Sequence, residues 1–242
     1  MQIESLNHSM AEYLDIVDGL LKQHGIELSK EELRDFFVNN GDKAFRGNQV
    51  YEWLWTKGAH SFEDMTNVSK ATRAILEAHF VINHIKVDTM QRSEDGTVKN
   101  AVRLHDGLVV ESVLIPTETR TTACVSSQVG CSLDCNFCAT ARLKRMRNLE
   151  PAEIYDQVIA IDKESRLYYN HPLSNIVFMG IGEPLDNYES VVKFLEVVSA
   201  EYGLNIGQRH ITLSTCGIVP KIYELADKEY SITLAISLHA FS

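Results

Sequence analysis

The sequence predicts an α/β fold: a partial (βα) barrel holding four of about six parallel strands, preceded by a helical N-terminal domain and a β linker. Three textures along the 242 residues predict it. Apolar residues keep helical spacing through the first third of the chain, strand and turn signals run from Ile85 to Val125, and helices alternate with strands after Cys138.

In the helical part, Ala11–Lys22 sets Leu14, Val17, Leu20 and Leu21 on one face. Ser29 and Glu32 form a capping box ahead of Leu33, Phe36 and Phe37. Gly47–Trp55 reads as a further helix, and Ser69 can cap Lys70–His79. The β part reads as strands Ile85–Arg92, Val98–Leu104 and Leu108–Ile115, joined by turns at Asp95-Gly96 and Asp106-Gly107. After a strand near Thr122–Ser126, helices Pro151–Tyr169, Tyr188–Ala200 and Val219–Lys228 precede strands Asn175–Met179, His210–Ser214 and Ile232–Leu238. These textures divide the chain into a helical accessory domain (1–82), a β-meander linker (83–118) and a parallel core (119–242). The sequence stops just after the fourth parallel strand, so further strands or a partner chain are expected to cover that edge.

With 45% hydrophobic and 23% charged residues, the chain has the composition of a folded domain rather than of a disordered one. No apolar run approaches the length of a membrane-spanning helix, and Met1–Ser9 lacks a signal-peptide pattern, so a cytoplasmic protein without a membrane partner is expected. In a reducing compartment the five cysteines point to metal ligation or thiol chemistry rather than to disulfides. A net charge of −10 excludes binding of nucleic acid through the overall field and leaves only local basic patches. Arg142, Lys144, Arg145 and Arg147 form one, and Lys43, Arg46 and Lys57 a looser one; each is either a phosphate-binding patch or a solvated face.

Active sites of parallel βα folds lie at the strand C-termini, and four polar clusters fall there: the cysteine loop, Gly180–Pro184, Ser214–Gly217 and Ser237–Ala240. Cys131, Cys135 and Cys138 follow a Cys-x3-Cys-x2-Cys spacing, which can wrap one face of a 4Fe–4S cluster and leave one iron open. The alternative is a structural zinc site with Cys124 as fourth ligand, although zinc sites are usually built from two separated pairs. In Val109–Ile115, alternation places Glu111 on the face of Val109, Val113 and Ile115. An apolar setting there would raise its pKa towards that of a base, whereas a rim position would simply reach water. Cys124 alone reads as a packed strand cysteine, and Cys216 as a small core residue.

The cysteine spacing resembles that of the radical S-adenosylmethionine superfamily. Cys124-Val-Ser-Ser-Gln-Val-Gly-Cys131, Gly180-Ile-Gly-Glu-Pro-Leu185, Ser214-Thr-Cys-Gly-Ile-Val-Pro220 and Ser237-Leu-His-Ala240 together resemble the bacterial dual-specificity RNA methyltransferases of the RlmN family, over about Lys43–Ala240. Pro184 and Val129 favour this family over a sister family that methylates carbon 8 of a ribosomal adenine and confers antibiotic resistance, which is the rival reading among enzymes. The resemblance implies methylation of carbon 2 of an adenine in 23S ribosomal RNA and certain transfer RNAs, using two S-adenosylmethionine molecules and a methyl-cysteine intermediate.

The resemblance also implies that Gly182 and Glu183 bind the amino end of S-adenosylmethionine, and that Ser214, Ser237, Leu238 and His239 line its sugar and base. Glu111 would accept the proton from the adenine carbon, and Cys124 would be the resolving thiol, forming a transient disulfide with a late cysteine that has no counterpart among these residues. The implied partners are ribosomal and transfer RNA and an electron donor such as flavodoxin, with the complete protein a monomer. A chain of this extent is expected to cleave S-adenosylmethionine without completing methyl transfer. The competing reading from another class is a zinc-stabilised RNA-binding module without catalysis.

Overall fold

The structure is a computed structural model that describes residues 28–133, 135 and 138–238. The helix expected over Ala11–Lys22, and the site positions His239 and Ala240, lie outside the described residues. The chain divides into two compact units, Met1–Asn83 and His84–Ser242.

Among the described residues the first unit holds three α-helices, α1 (Lys30–Asn39), α2 (Phe45–Trp55) and α3 (Lys70–His79), with a 3-10 turn at Phe62–Asp64. The capping box forms as expected: Ser29 Oγ accepts from the Glu32 N–H at 3.2 Å, and Glu32 Oε2 accepts from the Ser29 N–H at 2.6 Å. Ser69 caps α3 by accepting from the Thr72 N–H at 3.1 Å, and Thr72 Oγ1 donates to Asp42 Oδ2 at 2.7 Å. Leu33 and Phe37 of α1, Val50, Leu54 and Trp55 of α2, and Met65 and Leu76 are buried and form the core of the unit.

The second unit is built on one seven-stranded sheet. Its strands are β1 (Lys86–Arg92), β2 (Val98–Arg103), β3 (Val109–Pro116), β4 (Thr121–Cys124), β7 (Asn175–Phe178), β8 (Ile211–Thr215) and β9 (Thr233–Ile236), in that spatial order. The first three pairings are antiparallel, and β4, β7, β8 and β9 are parallel. Between β4 and β7 lie a two-stranded ribbon of β5 (Gln128–Val129) and β6 (Arg147–Asn148), and helix α4 (Pro151–Tyr169). Helices α5 (Tyr188–Ser199) and α6 (Val219–Asp227) precede β8 and β9.

The meander expected as a linker is hydrogen-bonded into the same sheet as the parallel strands. Val113 to Pro116 pair with Cys124 to Thr121, because the connection closes tightly through a Thr117 N–H to Arg120 C=O bond of 2.8 Å. The two faces of the sheet differ. Val110, Ser112 and Leu114 of β3, Ala123 of β4, Ile176 and Phe178 of β7, and Ile211 and Leu213 of β8 are buried, whereas the alternate residues are more open. The buried face packs under α4 and α5, where Phe178 and Tyr155 each meet the ring of Phe194 edge to face.

Phe194 has no exposed surface and joins the sheet to both helices. Phe194→Ala is therefore expected to lower stability by about 3–5 kcal/mol, read as a lower urea midpoint by circular dichroism. A loss below about 1 kcal/mol would show that this ring does not bind the layers together.

Candidate active site

The cysteine loop leaves β4 through Val125–Gln128 and returns through β6. The β5–β6 ribbon, which the sequence did not announce, pairs Gln128 with Asn148 and Val129 with Arg147 and so pins both ends of the loop. Within it the Cys131 N–H donates to the Leu143 carbonyl at 3.1 Å, and the Cys138 N–H to the Cys135 carbonyl at 2.9 Å. Cys131, Cys135 and Cys138 are all partly exposed and line one cavity of about 340 Å³. Its opposite wall consists of Gly180, Gly182 and Glu183 after β7, Ser214 and Cys216 at the end of β8, and Ser237 after β9.

Three thiols around a cavity of this size fit the donor set that an iron–sulfur cluster with one open iron would need, and Gly180, Gly182 and Glu183 in the same lining leave room for a small polar molecule. Among the described residues no group of three His, Cys, Asp or Glu is gathered closely enough to hold a single metal ion. Burial pushes the Cys131 thiol up, and the neighbouring Cys135, Cys138 and Glu183 add to the shift. A bound metal centre reverses that cost, because coordination deprotonates a thiol.

Close approach explains the glycines. A Cβ on Gly180 would lie 2.7 Å from Ser126 Oγ and from the Val125 carbonyl. Gly182 has φ +104°, and a Cβ there would lie 2.6 Å from Gln128 Cβ. The turn is thus pressed against the root of the cysteine loop, with the Ser127 N–H donating to the Ile181 carbonyl at 2.9 Å and the Ile181 N–H to Ser126 Oγ at 2.9 Å. Glu183 is buried at the cavity wall. Its Oε1 accepts from the Leu185 N–H at 3.0 Å and its Oε2 from the Cys216 N–H at 2.9 Å, so one carboxylate joins the loops after β7 and β8.

Ser214 and Ser237 face each other, Oγ to Oγ at 3.5 Å, and the Ser237 N–H donates to the Thr215 carbonyl at 2.8 Å. Leu238 is 71% exposed and is not part of the cavity wall. Cys216 overturns its expected place in the core. It is exposed at the strand end, because β8 has already finished and the chain turns at Gly217. Its thiol is pushed up to about 11 by partial loss of solvent and by the adjacent Glu183 carboxylate, with Cys135 and Cys131 contributing less.

Glu111 needs a correction of setting. Its face of β3 is not a closed apolar layer: Val109 and Ile115 are exposed, and Glu111, about half exposed, pairs with Lys99 Nζ at 2.6 Å. The buried face carries Val110, Ser112 and Leu114 instead, since α4 covers the other side. The open face nevertheless carries one residue of the cavity, Ser214. Val113 pairs with Cys124, Cys124 with Val177, Val177 with Thr212, and Ser214 follows two residues on, so Glu111, Cys124 and Ser214 share it. Cys124 is buried there, its thiol raised by burial against a partly offsetting hydrogen bond from the Met179 N–H.

The basic run is also corrected. Arg147 makes two 2.7 Å bonds to the carboxylate of buried Glu153 and one of 2.6 Å to Asp106, which together raise its pKa. Arg145 pairs with Asp186 at 2.8 Å. Arg142 and Lys144 are exposed and make no ion pair among the described residues. In the looser patch, Lys57 pairs with Glu52 at 3.0 Å and Arg46 lies 3.8 Å from Asp42.

Sequence reasoning missed Gln128, Asp186 and Asn187. Asn187 is buried and donates both amide hydrogens, to the Ser127 carbonyl at 2.8 Å and the Leu149 carbonyl at 2.7 Å. The signal was the position of these residues beside the two recognised motifs, Gln128 just before the cysteines and Asp186-Asn187 just after Gly180–Leu185.

Gly182 and Gly217 share φ +104°, but only Gly182 has neighbours within 4 Å of a Cβ. Gly217→Ala is expected to cost about 1–3 kcal/mol from backbone strain, and Gly182→Ala about 1–3 kcal/mol more from the clash with Gln128. Equal urea midpoints for the two variants would refute the close approach.

The family pattern "Ribosomal RNA large subunit methyltransferase N-terminal domain" matches residues 26–82, and that of the "Radical SAM superfamily" matches residues 125–242. A "probable dual-specificity RNA methyltransferase RlmN" of Flavobacterium johnsoniae is 77% identical over 88% of this chain and 61% of its own length. A protein of the same name from Clostridium botulinum is 51% identical over 90% of this chain and 61% of its own length. The chain thus spans about three-fifths of the length of the curated relatives it matches. The crystal structure of a radical SAM methyltransferase from Sphaerobacter thermophilus superposes with a TM-score of 0.81 at 37% identity, covering 89% of this chain and 63% of that one. On both patterns and these relatives, the chain belongs to the RlmN family of the radical S-adenosylmethionine superfamily.

Proposed function

We propose that this chain is the cluster- and cofactor-binding part of a cytoplasmic methyltransferase that modifies carbon 2 of an adenine in 23S ribosomal RNA and in certain transfer RNAs. Membership of the superfamily brings a 4Fe–4S cluster and S-adenosylmethionine as cofactors. The observation that carries the reading is the single cavity with Cys131, Cys135 and Cys138 on one wall and Gly180, Gly182, Glu183, Ser214 and Ser237 on the other. The cluster and S-adenosylmethionine, when bound and reduced by one electron, supply a 5′-deoxyadenosyl radical.

The chain's own residues then have distinct tasks. The three cysteines would hold the cluster, and the wall of Gly182 and Glu183 would receive the amino end of S-adenosylmethionine. Ser214 and Ser237 offer hydroxyls to the sugar. Glu111, on the open face, would take the proton from the adenine carbon once RNA covers that face and displaces it from the Lys99 pair. Cys124, on the same face, is assigned the resolving thiol; its burial keeps it protonated until it is needed. Arg142 and Lys144 are the cations left for phosphate. An acidic one-electron carrier such as flavodoxin would supply the electron, and the complete protein is read as a monomer.

Two measurements test the reading. After anaerobic reconstitution the protein should carry a four-iron cluster and release 5′-deoxyadenosine on reduction with S-adenosylmethionine, and Cys131→Ala, Cys135→Ala and Cys138→Ala should each abolish both. Full iron content in all three variants, or colourless protein holding one zinc, would overturn it. Replacing Arg142 and Lys144 by Ala should weaken RNA binding uniformly across sequences and lower the slope of log affinity against log salt by about 2. An unchanged slope would remove this loop from the RNA-binding surface.

A further inference from the structure

Asp186 lies just beyond the Gly180–Glu183 turn, in the 3-10 segment Pro184–Asn187, and is not part of the cavity wall. A single oxygen, Oδ2, accepts three hydrogen bonds: from Ser132 Oγ at 2.8 Å, Gln128 Nε2 at 2.9 Å and Arg145 Nη1 at 2.8 Å. The three donors belong to different parts of the cysteine loop. Ser132 follows the first cluster cysteine, Gln128 stands in the strand entering the loop, and Arg145 in the segment returning from it. Gln128 continues the connection, since its Oε1 accepts from the Glu183 N–H at 2.9 Å while Gly182 presses on its side chain. One carboxylate thus ties the loop that presents the thiols to the turn that faces them.

We propose that Asp186 is a positioning residue that fixes the cysteine loop against the Gly182–Glu183 turn, and so sets the reach between the open iron and the amino end of the cofactor. The proposal rests on the functional reading above only for its second half. The clamp itself is a property of the polypeptide, and the two can be judged apart. Hydrogen bonds to a carboxylate are about twice as strong as neutral ones, and Asp186→Asn keeps the shape while turning an amide that itself donates, or a weaker carbonyl, towards the three donors.

The test compares wild type, Asp186→Asn, Ser132→Ala and the double variant. In metal-free protein, amide hydrogen exchange around Cys131–Leu133 and Gly182–Leu185 should quicken in Asp186→Asn. In reconstituted protein, iron and sulfide should stay at the wild-type level. The dissociation constant for S-adenosylmethionine, followed by its effect on the electron paramagnetic resonance spectrum of the reduced cluster, should rise about 10- to 100-fold. Ser132→Ala should reproduce part of the loss, and adding it to Asp186→Asn should cost little more. Unchanged exchange and affinity in Asp186→Asn, or full additivity in the double variant, would overturn the clamp. If Asp186→Asn does not fold, Ser132→Ala decides alone: faster exchange at Gly182–Leu185 supports the clamp and unchanged exchange refutes it. Wild-type protein that takes up neither iron nor S-adenosylmethionine would overturn the functional reading and the second half of the proposal, leaving exchange to judge the first.

Discussion

The pairing of β4 with β7 is the constraint on which the site depends. Cys124 stands opposite Val177 in the parallel ladder, the Val125 N–H donates to the Val177 carbonyl at 3.0 Å, and the Gly180 N–H donates back to the Val125 carbonyl at 3.1 Å. That register brings the two chains out of the sheet side by side, one as the root of the cysteine loop and the other as the glycine turn. A slip of one residue would turn every side chain on one strand to the opposite face, separating Cys124 from Ser214 and burying polar groups under α4. The thiols, the glycines and Glu183 meet because backbone hydrogen bonds have already fixed where their loops begin.

From that register the two faces of the sheet acquire different duties. The face under α4 and α5 is closed by Ile176, Phe178, Ile211 and Leu213 and supplies rigidity. The other carries Glu111 in the open, Thr212 and Ser214 at intermediate depth, and the buried Cys124. Polar groups there can meet a ligand without the desolvation cost that full burial would impose. Glu183 is the exception, a buried carboxylate that is affordable because two backbone N–H groups already satisfy it.

Much of this was legible in the sequence, for physical reasons that differ between elements. The Ser29–Glu32 capping box fixed the start of α1 and the Ser69 cap that of α3, because a cap is a local interaction between a side chain and amides three positions away. Helix α4 was bounded by Pro151 and by the left-handed Asn170, again local signals. The four parallel strands were found within one or two residues, since short β-branched runs between helices have few other uses. The β5–β6 ribbon has only two residues in each strand and no periodicity to read. The face of Glu111 could be paired with Val113 by alternation, but which face the helices cover is decided by chain topology. The basic run was legible as charge and not as availability: nothing local says that Arg147 will find Asp106, 41 residues earlier in the chain, or that Arg145 will find Asp186. Cys216 was misplaced because a lone cysteine was read by its small apolar character, although the expected strand His210–Ser214 already ended before it.

The meander also bears on how this unit could be taken apart. Its polar contacts run the length of α4: Ile85 N–H reaches Asp156 at 3.4 Å, Asn100 bonds Glu164 at 2.8 Å, the Gly96 carbonyl accepts from Tyr169 at 2.6 Å, and Asp106 meets Arg147 where that side chain holds Glu153. A chimera or shortened protein begun at residue 119 would strip α4 of this row of partners and leave β4 as a bare edge beside the cysteine loop. Severed there, the second unit would lose part of its own sheet; the boundary between the two compact units lies at Asn83 and His84 instead.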